Sequence, residues 1–337
     1  MTVMNKIIPL FALFFFIPFT LTAQSEEPLA DRLTEMLKTD VFNIGILLQS
    51  EAVFSLDDDN FNGGRAFDLG ATRMDVRGAV DGNFTYRFQL DYRQQISILD
   101  AQVGYRFSDK AHLIAGAFKP FTSRELDPGP GDTDFINRAR LVRAMMNPRE
   151  IGLTLRGRSD QFNYALGVYN GTGLSRMNDN KFLYTVRLGY QVESEFGTFD
   201  FGFNGAFHNT ESDSVGGTKV WSTGNRTTYG GFVTYNSDTF FGTVEFLQSS
   251  FERAFTGDET LTGFYITAGR NLTDKDQVLA RYDYIGYDAV DDKSDLIVLG
   301  WNHQATSLIS FQVNLQALIR EDADNQMGIS ALMQFQF

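Results

Sequence analysis

The sequence predicts an all-β fold: one 16-stranded antiparallel transmembrane β-barrel with short periplasmic turns, long extracellular loops and a long third loop folded inward. Three observations predict it. Apolar and polar residues alternate with a period of two in about 16 separate segments, which places them on opposite faces of strands. The segments run to about 9–13 residues, the length of a tilted membrane-spanning strand rather than the five or six of a soluble sheet. Short and long connections take turns along most of the chain, the pattern of a barrel with one short-turned and one long-looped side.

Composition narrows the chemistry. With 32 Phe, 13 Tyr and only 7 Pro in 337 residues, the chain favours strands. It has no cysteine, which excludes disulfides, thiolate metal sites and cysteine nucleophiles. His112, His208 and His303 are far apart in sequence, so a histidine metal cluster is not expected, and no cofactor is. The 29 basic residues face 42 acidic ones, a net charge of −13 that argues against a nucleic-acid partner.

The elements follow in order. Residues 1–23 read as a secretory signal peptide: Lys6, an apolar run from Ile7 to Leu21, and Leu21-Thr22-Ala23 before Gln24. About 15 apolar residues fall short of the roughly 20 that a membrane helix needs. Residues 24–40 are polar with weak helical character, a short periplasmic lead-in. From residue 41 to 337 the period is two. Phe84, Tyr86, Phe88 and Leu90 alternate with Thr85, Arg87, Gln89 and Asp91; Phe199, Phe201 and Phe203 alternate with Asp200, Gly202 and Asn204. Strands are expected to start near Val41, Phe67, Phe84, Ile96, His112, Glu150, Phe162, Lys181, Phe199, Thr227, Phe240, Leu261, Gln277, Asp295, Leu308 and Gln326.

Short turns follow even strands, as at Asp81-Gly82-Asn83, Ser108-Asp109-Lys110 and Asn236-Ser237-Asp238. Longer loops follow most odd ones: Ser55 to Ala66, Pro120 to Arg149, Gly171 to Asn180 and Thr210 to Arg226. The brief Gln94-Gln95 connection breaks the rule. An even strand count leaves both termini in the periplasm, and the compartment is the outer membrane of a Gram-negative bacterium. The last strand ends in Phe335-Gln336-Phe337, a terminal aromatic of the kind that barrel-assembly machinery reads.

A closed sheet must turn its polar row into the lumen, because lipid satisfies no backbone or side-chain hydrogen bond. At about 16 strands that lumen is wide enough for water. Parity points Arg73, Arg77, Arg87, Arg93, Arg106, Lys119, Arg156, Arg187 and Arg281 inward, with Glu51, Asp75, Asp91, Asp100, Glu245 and Asp283. These charges either guide anions or pair across the wall. The loop Pro120 to Arg149 carries Arg138, Arg140, Arg143 and Arg149. So long a loop between strands points to function. Folded inward it presents guanidinium forks that bind phosphate and carboxylate; left outside, its arginines meet lipopolysaccharide phosphates or nearby carboxylates. Asp57-Asp58-Asp59-Asn60 lacks the spaced ligands of a calcium loop and reads as a solvated tip. No Ser-His-Asp arrangement stands out, and no enzyme is expected.

Several motifs then carry a family resemblance: Arg73-Met74-Asp75-Val76-Arg77-Gly78, Phe84 to Asp91, Leu99 to Tyr105, Arg149-Glu150-Ile151-Gly152 and Tyr169-Asn170-Gly171. The most specific is Gly116-Ala117-Phe118-Lys119-Pro120-Phe121-Thr122 with Glu125, a G-x-F-K-x-P-F-s-x-E pattern. Over about Asp68 to Asn180 the chain resembles the phosphate-selective porin O and P family. The resemblance implies a trimeric 16-stranded porin with an inward loop and a basic ladder guiding phosphate. The expectation is passive diffusion of small anions, phosphate or related oxyanions, guided by Lys119, Arg138, Arg140, Arg143 and Arg149 with Arg73, Arg77, Arg87 and Arg156 on the wall. The expected partners are those anions, outer-membrane lipids and lipopolysaccharide, the assembly machinery and two further copies of the chain. A general porin whose arginines only build a transverse field, and a non-conducting structural or adhesive barrel, are the alternatives.

Overall fold

A computed structural model describes residues 29–39, 41–56, 61, 64–175, 180–214, 221–253, 257–321 and 323–337. The expected signal peptide and the acidic tip Asp57-Asp58-Asp59-Asn60 lie outside the described residues. Helix α1 (Leu29–Leu37) occupies the lead-in. The strands are β1 (Asn43–Ser55), β2 (Arg65–Val80), β3 (Phe84–Asp91), β4 (Ser97–Ser108), β5 (Ala111–Phe118), β6 (Glu150–Ser159), β7 (Phe162–Tyr169) and β8 (Leu183–Ser194). They continue as β9 (Gly197–Ser214), β10 (Trp221–Asn236), β11 (Phe240–Arg253), β12 (Gly257–Asn271), β13 (Asp276–Tyr287), β14 (Asp292–Gln304), β15 (Ile309–Arg320) and β16 (Gln326–Gln336). Each pairs antiparallel with its chain neighbours, and the sheet closes on itself.

Closure is made by β1 on β16, in register from Leu47 opposite Gln336 to Ser55 opposite Gly328. Phe337 extends it, donating its N–H to the Ile46 carbonyl at 2.9 Å. No sheet edge is left, as a membrane environment demands.

The two faces are inverted relative to a soluble protein. Phe88, Leu153, Val244, Phe246 and Leu299 are exposed on the outside. Asp100, Glu245, Asp283, Arg281 and Asn314 point inward and are at most 3% exposed. Among the described residues no helix is long and apolar enough to cross a membrane, so the crossing belongs to the strands.

Two stretches differ from expectation. Thr210 to Arg226, read as a loop, is largely a continuation of β9 and β10, with Trp221 opposite Ser214. Its residues are mainly Thr, Ser, Asn, Glu and Asp, so the period-two signal vanishes, because the inward-facing positions here, such as Thr210 and Ser222, are polar and so are most of their neighbours. β14 begins at Asp292, three residues before the expected start near Asp295.

The segment from Lys119 to Arg149 joins β5 to β6. Its residues reach Gln49 on β1, Arg187 on β8, Glu245 on β11, Asp283 on β13, Asn302 on β14, Asn314 on β15 and Gln334 on β16. A segment that touches inward side chains on opposite walls lies inside the barrel. Within it, helix α2 (Arg140–Met145) buries Leu141, Val142, Ala144 and Met145. They pack on Leu247, Phe251, Leu261, Tyr265 and Ile285, an apolar patch on the inner faces of β11, β12 and β13. Burying each larger side chain contributes about 1.5–3 kcal/mol at most. Gly263 makes the fit close, since a Cβ there would lie 2.8 Å from that of Leu141.

Candidate functional site

The lumen is the candidate site, and it is built around the internal loop. Backbone amides of a loop taken out of bulk water need partners. The inner wall supplies them. Glu245 accepts from the backbone N–H of Arg124 at 2.7 Å, the N–H of Glu125 at 3.1 Å and the Ser123 hydroxyl at 3.0 Å. Asn314 accepts from Ile136 N–H at 3.0 Å, while Gln312 and Asn302 donate to the carbonyls of Thr133 and Asp134, each at 2.9 Å. Arg187 holds Asp127 by both carboxylate oxygens at 2.8 and 2.7 Å, and Arg281 reaches Glu125 at 3.1 Å.

The nine basic residues singled out in the sequence have different environments. Lys119 donates to the carbonyls of Leu126, Asp127 and Pro128 at 2.9, 3.3 and 2.6 Å. Burial, and then Arg138 and Arg149, push its pKa down to about 7. Arg138 donates to the carbonyls of Glu125 and Pro128. Arg140 is held by Asp283 at 3.1 Å and by the Ser294 hydroxyl at 2.7 Å. Arg149 donates to Asp100 at 2.8 Å and to Gln89 at 3.0 Å. On the wall, Arg73 meets Asp91 at 3.3 Å, and Arg87 meets Asp75 at 2.5 Å and Asp100 at 3.3 Å. Arg77 faces Asp75 at 3.6 Å with its side chain 64% exposed, a loose pair worth little.

Arg143 and Arg156 stand apart. Arg143 is the exposed residue of α2, turned away from the apolar seat, with no ion pair to any described residue. Arg156 is exposed on β6, its guanidinium 5.5 Å from the ring of Phe121. Arg106 on β4 shares its surroundings, so the two cations repel rather than being neutralised by an acid. Six of the nine are thus committed to internal partners, and Arg77 is tied only loosely to Asp75.

Sequence reading missed Asp127, whose carboxylate ties the loop to Arg187, and the amide anchors Asn302, Gln312, Asn314 and Gln334. Their inward parity on amphipathic strands was the available signal; their loop partners were not visible.

Two further groupings shape the lumen. A cavity of about 530 Å³ sits at the short-turn end between β4 and β8, lined by Arg106, Arg156 and Arg158 with Phe121. Across the barrel, a cavity of about 960 Å³ between β11 and β16 is lined by Asp132, Asp134, Asp238 and Asp274, with Lys38 and Lys275. The two short-turn walls therefore carry opposite charge. Among the described residues no group of three acids or histidines is arranged to hold a metal.

Comparison with known proteins gives a family and a fold. The family model described as phosphate-selective porin O and P matches residues 42–337. Comparison with curated proteins gave no match. The anion-selective porin from Comamonas acidovorans is similar with a TM-score of 0.68 at 15% identity, covering 88% of this chain and 99% of that one. OmpT expressed in the outer membrane of Vibrio cholerae gives 0.65 at 14%, covering 89% and 99%. OprB of Pseudomonas putida gives 0.67 at 9%, covering 91% and 96%. At such identities these structures share the fold.

Proposed function

The chain belongs to the phosphate-selective porin O and P family, and from that premise we propose that it conducts small anions, phosphate and related oxyanions among them, by passive diffusion. It is a porin of the Gram-negative outer membrane. The family and the fold are those of a channel, and the proposal includes no enzymatic step.

One observation carries the anion reading. In a chain of net charge −13, Arg106, Arg143 and Arg156 face the aqueous lumen without an acidic partner among the described residues, while most other inward arginines are neutralised. A passing anion exchanges water for a guanidinium fork that no fixed carboxylate already fills. Of the nine basic residues, Arg143 and Arg156 then act on the solute. Lys119, Arg138, Arg140 and Arg149 shape the loop around it, and Arg73, Arg77 and Arg87 balance wall carboxylates. Unpaired charge of one sign along a pore selects by sign.

Assembly follows the family: three copies in the membrane, inserted by the barrel-assembly machinery through β16, with lipopolysaccharide around the outer face. The opposed acidic cavity favours a second reading, a general porin whose two walls set up a transverse field. Reversal potentials in a salt gradient separate the two. Anion preference in the native channel that Arg106→Gln with Arg156→Gln lowers severalfold supports the first; a channel without sign preference supports the second.

A further inference from the structure

Resting on the anion-porin reading, we propose that the cavity beside Phe121 favours organic anions with a planar apolar body over bare oxyanions. The cavity, about 530 Å³, lies between the loop and the inner wall of β4 to β8. That is the size class of sites for whole organic molecules, which combine apolar lining with a few placed charges. A bare phosphate would occupy a small part of it and leave the rest to water.

The lining fits such a solute. The Phe121 ring lies 5.5 Å from the Arg156 guanidinium and 5.8 Å from that of Arg187. Arg187 is already occupied by Asp127, and Arg158 donates to the Asp160 carbonyl and the Gln191 side chain, so the cations left for a ligand are Arg156 and Arg106. Asp127 also lines the cavity, but Arg187 at 2.7 Å and Arg124 at 3.5 Å offset its charge. Asp109, on the turn after β4, is the remaining acid at the mouth. A carboxylate or phosphate monoester would take the Arg106 and Arg156 forks while its flat body lies against Phe121 and the guanidinium planes.

The test is block of chloride current through the full-length protein in planar bilayers by two matched pairs: phosphate with phenylphosphate, and acetate with benzoate. The aromatic member of each pair is expected to half-block at about tenfold lower concentration, a difference of about 1.4 kcal/mol. Phe121→Leu should narrow that gap, and Arg156→Gln should weaken both members of each pair, in variants whose heat-modifiable migration shows a folded barrel. Equal block within each pair, in a channel that still prefers anions, overturns the organic-anion site alone. Absence of anion preference in the native channel overturns the reading beneath it as well.

Discussion

Among inward arginines, charge type decides less than the identity of the nearest acid. Arg140 and Arg149 sit where a selectivity filter would want them, yet each donates to a carboxylate only 2% exposed, Asp283 and Asp100. Removing Arg149 strips buried Asp100 of its closer partner and leaves it Arg87 alone at 3.3 Å, so the cost stays below the roughly 3–5 kcal/mol of a fully orphaned buried carboxylate. We therefore expect Arg149→Ala to lower folded-barrel stability, read as the temperature of the heat-modifiable shift, whereas Arg143→Ala leaves that temperature unchanged and lowers anion preference. The reverse pattern would show that Arg143 is structural. Lys119 adds a pH term. Its ammonium has three N–H donors for three carbonyls, and with a pKa lowered to about 7 it is protonated below that pH and neutral above it. Anion preference is expected to fall as pH rises from 6 to 8.5, and Lys119→Met to abolish that slope. A flat native profile would contradict it.

At the scale of elements, the loop is fixed by two different forces. Glu245, Asn314 and their neighbours satisfy its backbone, while α2 presses an apolar face onto β11 to β13. Neither alone would order some thirty residues against their conformational entropy. Leu141→Ala should weaken the seat by about 2–5 kcal/mol. Gly263→Val should do so by sterics, because the space for its Cβ is already filled by Leu141. Both are expected to raise single-channel conductance and open the loop to trypsin at Arg138 and Arg143, with the barrel still closed. Unchanged conductance in both would mean that the loop does not bound the pore.

For the whole molecule, the barrel was legible because the membrane leaves a chain few options. Phe199, Phe201 and Phe203 on one face and Asp200, Gly202 and Asn204 on the other admit one orientation of β9, and closure follows once edges are forbidden. Legibility failed where the alternation stops: Thr210 to Arg226 shows no apolar row, so it reads as a loop although its residues up to Ser214 and from Trp221 pair as strands. The candidate site was half legible. Parity sent Arg187 and Arg281 into the lumen, but not to Asp127 and Glu125, which lie 60 and 156 residues away along the chain. Sequence shows which way a charge faces, and only the closed fold shows which charges remain free.

Guanidinium groups without acid partners among the described residues are the proposed source of anion selection in the lumen. The most direct test is the reversal potential of the purified protein in a planar bilayer under a tenfold potassium chloride gradient. Native channels should reverse on the chloride side of zero, and Arg106→Gln with Arg143→Gln and Arg156→Gln should move the potential toward zero or past it. A native potential at zero or on the potassium side, from folded conducting barrels, would contradict anion selection by these arginines.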